Sequence, residues 1–133
     1  MDYPTEKRYK MAFSKTIDKP LDEARTAITE SLAKAGFGVL TEIDVAATLK
    51  SKIGVEREPL IILGACNPHL ANEALTVDVS FALWMPCNVV LQKAGDSTTI
   101  SIIDPHDIIK DDVLKPLADK AEQLLTQALE QTS

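Results

Sequence analysis

The stretch PCNVVLQKAGDSTTISIIDP, residues 86–105, carries a hairpin signal from which the fold prediction starts. Two runs rich in β-branched residues, Asn88 to Gln92 and Thr98 to Ile103, flank a short connection that contains Gly95 and Asp96. A Gly-Asp connection between two such runs is typical of a β-hairpin. We therefore predict two paired strands here, ended by a turn at Asp104-Pro105.

The chain before this hairpin predicts strands alternating with helices. Residues 7–16 alternate as a strand with one set of side chains on one face, namely Tyr9, Met11 and Phe13. Asp18 and Pro20 indicate a helix start, with Asp18 as the cap. The helix that follows has one apolar stripe, formed by Leu21, Ala24, Ile28, Leu32 and Ala35. Gly36 is well placed to end it.

The middle of the chain continues this alternation. Phe37 to Ile43 is predicted as a strand, and Asp44 as the cap of a short helix, Val45 to Ile53, that Gly54 stops. Leu60 to Leu63, four bulky apolar residues in a row, suit a strand buried on both faces. A helix from about Pro68 to Leu75, capped by Asn67, comes next, and Val79 to Leu83 is a weak strand candidate.

A final helix is predicted from about Asp112 to Gln131, again with one apolar face. The order of elements predicts an α+β fold: a mixed β-sheet of about five or six strands with three or four helices packed against it. We find no repeat, low-complexity segment or linker, so we expect residues 1–133 to form one domain.

Composition and charge exclude some classes of function. The 133 residues are 45% hydrophobic and 26% charged, as in ordinary soluble domains. The formal net charge of −6 argues against a nucleic-acid partner, because phosphate contacts need clustered Lys and Arg. No apolar run approaches the roughly 20 residues of a membrane span. Nucleotide-binding and nucleophile-elbow glycine motifs do not occur either.

The N-terminal residues predict a cytoplasmic protein. The basic residues Lys7, Arg8 and Lys10 are followed only by Met11, Ala12 and Phe13. That apolar stretch is too short for a secretory signal. In a reducing compartment the two cysteines are expected to be free thiols.

Four spaced motifs carry a resemblance to a known family. They are the segment from Gly36 to Val45, Leu63-Gly64-Ala65-Cys66-Asn67-Pro68, Pro86-Cys87-Asn88-Val89-Val90 and Ile103-Asp104-Pro105. In this order, across residues 36–105, they resemble the prokaryotic family of domain of unknown function 302 (DUF302). The resemblance implies a small α+β fold, often a homodimer, and no settled activity.

Both cysteines lie beside an asparagine and a proline at a predicted strand end. If the two strands are antiparallel neighbours, the Cys66 and Cys87 thiols meet at one edge of the sheet. The loops after strand ends are the usual place for sites, so we predict ligand binding by Cys66, Asn67, Pro86, Cys87, Asn88 and Asp104. A thiol near a helix N-terminus is more reactive, so Cys66 and Cys87 are also candidate catalytic residues. The structural alternative is that both are small buried hydrophobes.

Two further groups of residues could carry chemistry. Cys66, His69, Cys87 and His106 could supply a tetrahedral zinc set, but only one tight pair exists, so no metal and no cofactor are predicted. Asp104 could orient His106 for acid–base work, with Asp107 close in sequence. An Asp-Pro turn is the simpler interpretation of that segment.

Three functions remain open from the sequence. The first is a homodimeric domain that binds a small molecule or a protein partner near the Cys66 and Cys87 turns. The second is a thiol-dependent redox enzyme or sulfur carrier that uses these cysteines. The third is a structural module that associates through Trp84 and an apolar helix face. Whether the protein is an enzyme is not decided by the sequence.

Overall fold

The computed structural model describes residues 13–133, which form one five-stranded sheet in the order β1-β5-β4-β3-β2. The strands are β1 Phe13–Ile17, β2 Gly38–Asp44, β3 Leu60–Cys66, β4 Cys87–Ala94 and β5 Ser97–Ile102. The predicted α+β class is confirmed. Every strand pair is antiparallel, however, where the sequence predicted a mixed sheet. Asp44 at the end of β2 pairs with Ile61, so the intervening segment leaves and re-enters the sheet at the same end.

Five α-helices and one 3₁₀-helix occur within residues 13–133, more than the three or four predicted. They are α1 Leu21–Lys34, α2 Val45–Ile53, α3 Pro68–Val77, the 3₁₀-helix Val79–Trp84, α4 Pro105–Ile108 and α5 Lys115–Glu130. The stripe predicted on α1 is confirmed: Ala24, Ile28 and Leu32 are fully buried. With Leu125 and Ala128 of α5, they form one core against the sheet.

Local signals place most of the helix ends. Asp44 Oδ1 accepts a hydrogen bond from the Ala47 amide at 2.9 Å, and Asn67 Oδ1 accepts one from the Leu70 amide at 3.2 Å. Gly36 and Gly54 have φ of 88° and 69°, the left-handed conformation expected of helix-ending glycines. These four predictions are confirmed.

The predicted cap of α1 is wrong. Pro20 occupies the N-cap position of α1, and no side chain caps this helix. Asp18 Oδ1 instead accepts a hydrogen bond from Ser97 Oγ at 3.3 Å. Asp18 therefore connects the end of β1 to the hairpin.

The predicted strand Val79 to Leu83 is also wrong, because this segment is the 3₁₀-helix. Asp78 Oδ1 accepts hydrogen bonds from the Ser80 amide at 2.9 Å and from Ser80 Oγ at 2.7 Å. The Phe81 amide donates to the Asp78 carbonyl at 3.0 Å. A short aspartate side chain that bonds the next backbone amides starts a turn and competes with an extended strand.

The hairpin and the last helix agree with the sequence. Ala94 pairs with Ser97, so Gly95 and Asp96 form a two-residue turn between β4 and β5. Helix α5 begins at Lys115, three residues after its predicted start at Asp112. Tyr9 and Met11 of the first predicted strand lie outside the described residues. In residues 13–133, we find no helix whose length and apolarity would let it cross a bilayer.

Candidate functional site

A cavity of about 60 Å³ opens where β3 ends and β4 begins. Cys66 and Asn67 line it from the end of β3, and Pro86 and Cys87 line it from the start of β4. The remaining walls are almost entirely apolar and come from Phe37, Ala65, Leu70, Ala71, Ala74, Phe81, Trp84, Met85, Pro105, Ile108, Ile109, Leu117 and Ala121. The cavity is thus an apolar space beside two thiols.

The register of the sheet explains why the two cysteines meet. Strands β3 and β4 are antiparallel neighbours, and Ala65 pairs directly with Cys87. Cys66 is the next residue after Ala65, so the end of β3 and the start of β4 lie side by side. Both thiols are free and only partly exposed. The structure therefore brings together the two turns that the sequence singled out.

The environment of Cys87 works against a reactive thiolate. Burial raises the pKa of the Cys87 thiol, and the nearby Cys66 thiol raises this pKa further. Both effects disfavour the charged form, because a thiolate loses hydration when buried and repels a second thiolate. At neutral pH, the fraction of Cys87 present as the nucleophilic thiolate is therefore smaller than that of an unperturbed cysteine.

The polar residues of the predicted site are divided between different places. Asn67 lines the cavity and also caps α3. Asn88 is exposed on β4 and does not line the cavity. Asp104 does not line it either, and its carboxylate is hydrogen bonded to His106.

His106 is the centre of a cluster of carboxylates between α4 and α5. Its Nδ1 lies 2.8 Å from Asp104 Oδ1 and 3.5 Å from Glu122 Oε2. Its Nε2 lies 2.6 Å from Asp119 Oδ1. These hydrogen bonds, first that to Asp119 and then that to Asp104, raise the pKa of His106. The bond to His106 in turn lowers the pKa of Asp119.

The contact between Asp104 and His106, which the sequence left as the alternative to a simple Asp-Pro turn, exists, and the four-ligand zinc set does not assemble. In the part of the chain that the structure describes, His106 groups with Asp104 and Glu122 and with neither cysteine. His69 is exposed at the start of α3 and belongs to no such group of the described residues. Asp107 is exposed as well.

Comparisons with known proteins agree with this architecture. The family model described as Domain of unknown function DUF302 matches residues 13–132. The chain belongs to the DUF302 family. The resemblance carried by residues 36–105 is thus confirmed, over a longer range. No curated protein matches the sequence significantly.

A solved DUF302 structure supports the fold in detail. The crystal structure of an uncharacterized conserved DUF302 protein from Bacillus stearothermophilus has a TM-score of 0.81 and 28% sequence identity with this chain. The similarity covers 92% of this chain and 99% of that one. The sheet and its helices are therefore shared with a DUF302 relative.

Sequence reasoning missed two parts of the site in this DUF302 chain. The cavity wall formed by Ile108, Ile109, Leu117 and Ala121 comes from α4, the residue after it and α5. The carboxylates Asp119 and Glu122 reach His106 from α5. Their spacing of three places them on one face of a helix, which is the signal that could have paired them. That signal does not say which residue they contact.

Proposed function

We propose that this DUF302 protein is a binding module that holds a small, largely apolar molecule in the cavity beside Cys66 and Cys87. The observation that carries the proposal is that two turns distant in sequence form one apolar cavity with few polar groups. Ligand sites are commonly concave, apolar and oriented by a small number of polar side chains. Here Asn67 and the two thiols are the polar groups.

The size of the cavity limits the part of a ligand that fits inside. About 60 Å³ corresponds to roughly four water-sized spheres. This volume suits a compact apolar group, such as the end of an aliphatic chain. Trp84 lines the cavity and is 57% exposed, so the rest of a larger molecule can remain outside.

Xenon tests occupancy of this cavity, because it is small, apolar and unreactive toward thiols. We expect saturable shifts in the methyl NMR signals of Leu70, Ala71 and Ile108 as the xenon pressure rises. Ala71→Leu fills the cavity and should abolish the saturable component. Ala33→Leu adds the same atoms at an exposed position on α1 and serves as the matched control.

Two results would count against the binding module. One is the absence of saturable shifts in the wild type. The other is an Ala71→Leu variant that still shows them. If Ala33→Leu also abolished the saturable shifts, their loss in Ala71→Leu could not be attributed to filling of the cavity.

Thiol chemistry is the second candidate function, because both free cysteines line the same cavity. The raised pKa of Cys87 decides how it should react. In the Cys66→Ser variant, where Cys87 is the remaining thiol, we expect native Cys87 to react with iodoacetamide at least about tenfold more slowly than in urea-unfolded chain at neutral pH. The rate of the native protein should begin to rise at a higher pH than that of the unfolded chain, because the folded thiol loses its proton at higher pH.

Mass spectrometry of the alkylated peptide measures this rate. Native Cys87 that reacts as fast as in the unfolded chain, or faster, would contradict the binding module and favour a redox enzyme or sulfur carrier. The Cys87→Ser variant gives the matching rate for Cys66.

We also propose that the protein is a homodimer. Four large apolar side chains at the end of α3 and in the 3₁₀-helix are exposed: Val77 by 50%, Val79 by 76%, Leu83 by 81% and Trp84 by 57%. An exposed apolar patch of this kind is typical of an interaction surface.

The free thiols support a location in a reducing cytoplasm, and the bacterial relative supports a prokaryotic origin.

Size-exclusion chromatography with light scattering tests this association. We expect a dimer at micromolar concentration that Leu83→Asp converts to a monomer. Leu40→Asp, at an exposed position on β2, should leave the dimer intact. A wild-type protein that is monomeric at high micromolar concentration would rule out the proposed homodimer.

A further inference from the structure

We propose that Asp104, His106 and Glu122 form a binding site for a divalent transition-metal ion such as Zn²⁺, between α4 and α5. Each residue offers one ligand atom, and the three atoms lie within 4.8 Å of one another. An imidazole nitrogen and two carboxylate oxygens are ligands that zinc accepts. The proposed site is separate from the cavity, whose lining includes none of these three residues.

The two sides of the site come from distant parts of the chain. Asp104 and His106 lie at the start of α4, and Glu122 lies on α5. The side chains are only partly exposed, by 15% for Asp104, 31% for His106 and 40% for Glu122. The ligand atoms are therefore held by packed elements and still open to an ion from solvent.

A fourth residue, Asp119, sets the orientation of the imidazole. Nε2 of His106 lies 2.6 Å from Asp119 Oδ1, and the other ring nitrogen, Nδ1, faces Asp104 and Glu122. A metal-binding histidine generally donates its second ring N–H group to a carboxylate in the same way. Asp119 is thus a positioning residue and not a ligand.

The charges around Nδ1 favour a cation. Asp119 has a second positive partner, since Lys115 Nζ lies 3.5 Å from its Oδ2. Among the described residues, the ion pairs of Asp104 and Glu122 are with His106 alone. A divalent ion would take the place of the proton at Nδ1, which is released to solvent. A divalent ion there accepts all three donors and balances both carboxylates.

Zinc should bind with at least one coordination position left for water, because this chain supplies three ligands. Nickel and cobalt should bind in the same place, since the affinities of nitrogen and oxygen sites rise along the first-row series. Alkaline-earth ions should bind more weakly, because they prefer oxygen ligands. The site is adjacent in sequence to cavity-lining Pro105 and Ala121, so a bound ion would fix α4 against α5 beside the cavity.

Calorimetric titration of the untagged full chain with Zn²⁺ tests the site, in mildly alkaline buffer where fewer protons compete with the ion for the imidazole. We expect one equivalent to bind. His106→Gln and Glu122→Gln should each weaken the affinity by at least about tenfold, and Asp119→Asn by a similar factor. His69→Gln removes the other histidine of the chain, which is exposed, and should leave the affinity unchanged.

Titration with Co²⁺ gives a second measurement that does not depend on the folding of the His106 variant. The absorption spectrum of bound Co²⁺ reports the type of its ligands. The paramagnetic NMR shifts that Co²⁺ causes should be largest for His106 and Glu122. Three results would overturn the proposal: no stoichiometric binding, binding lost in His69→Gln, or paramagnetic shifts centred on Cys66 and Cys87. Shifts centred on His106 with loss of affinity in Glu122→Gln would support it.

Discussion

We expect Gly64→Ala to lower the free energy of unfolding by about 2–3 kcal/mol, the upper range for forcing an extra group into a packed space. A Cβ atom at Gly64 would lie 2.6 Å from Cγ of Pro86 and would also collide with Oγ1 of Thr41. The threonine side chain can rotate, but the proline ring cannot. Since Pro86 precedes Cys87, relief of the collision would displace the start of β4 and one wall of the cavity.

Urea denaturation measures this loss, and Gly38→Ala is the matched control. Gly38 lies on the edge strand β2, and a Cβ atom there would meet nothing within 4 Å. The control should unfold at the wild-type urea concentration or slightly above it, since alanine reduces the freedom of the unfolded chain. Equal destabilisation by the two substitutions would show that the contact with Pro86 does not govern the effect.

Leu125→Ala should lower the free energy of unfolding by about 2–5 kcal/mol. Leu125 is fully buried on α5, where it shares one core with Ile28 of α1 and the inner face of the sheet. Removal of its side chain loses apolar burial and leaves a void that rigid strands on one side cannot close. Thermal unfolding should show a midpoint lower by roughly 6–25 °C for a chain of this size.

Leu40→Ala is the control for this second substitution, because Leu40 is 67% exposed on β2. Its effect should stay within about 0.5 kcal/mol, as for most surface positions. A comparable loss for Leu40→Ala would mean that the outer face of β2 is covered in solution. The homodimer would then have to use that edge instead of the 3₁₀-helix.

The elements that could be predicted from the sequence depend on short-range physics. Asp44 and Asn67 cap the helices that follow them, and Gly36 and Gly54 end helices with a positive φ. The hairpin at Gly95 and Asp96 has the same local origin. In each case the residue that gives the signal and the backbone it affects are a few positions apart.

Other elements depend on contacts that the local pattern does not contain. The direction of the strands follows from pairs such as Asp44 with Ile61, which the apolar pattern of either strand leaves open. In the segment after Asp78, a local side-chain hydrogen bond with Ser80 overrides the strand propensity of valine and phenylalanine. Helix α4 has four residues, too few for a periodic pattern.

The candidate site shows the same division. The meeting of the Cys66 and Cys87 turns followed from the hypothesis that their strands are antiparallel neighbours, which the sheet has. The partners of His106 could not be found in this way, because Asp119 and Glu122 contact it through the packing of α4 on α5. Cys66 and His69 are spaced like a pair of metal ligands, but they belong to no common metal-binding group in the described part of the chain. His69 is exposed on α3.

The order of strands in the sheet has a consequence for how the protein is made. Strand β1 pairs with β5, and Phe13 lies opposite Ile102, so the earliest of the five described strands pairs with the last of them to be synthesised. Contacts between residues so distant in sequence close slowly, whereas the β4–β5 hairpin can form as soon as it is synthesised. During translation, β1 therefore stays without its partner while β2, β3 and β4 can already pair with one another.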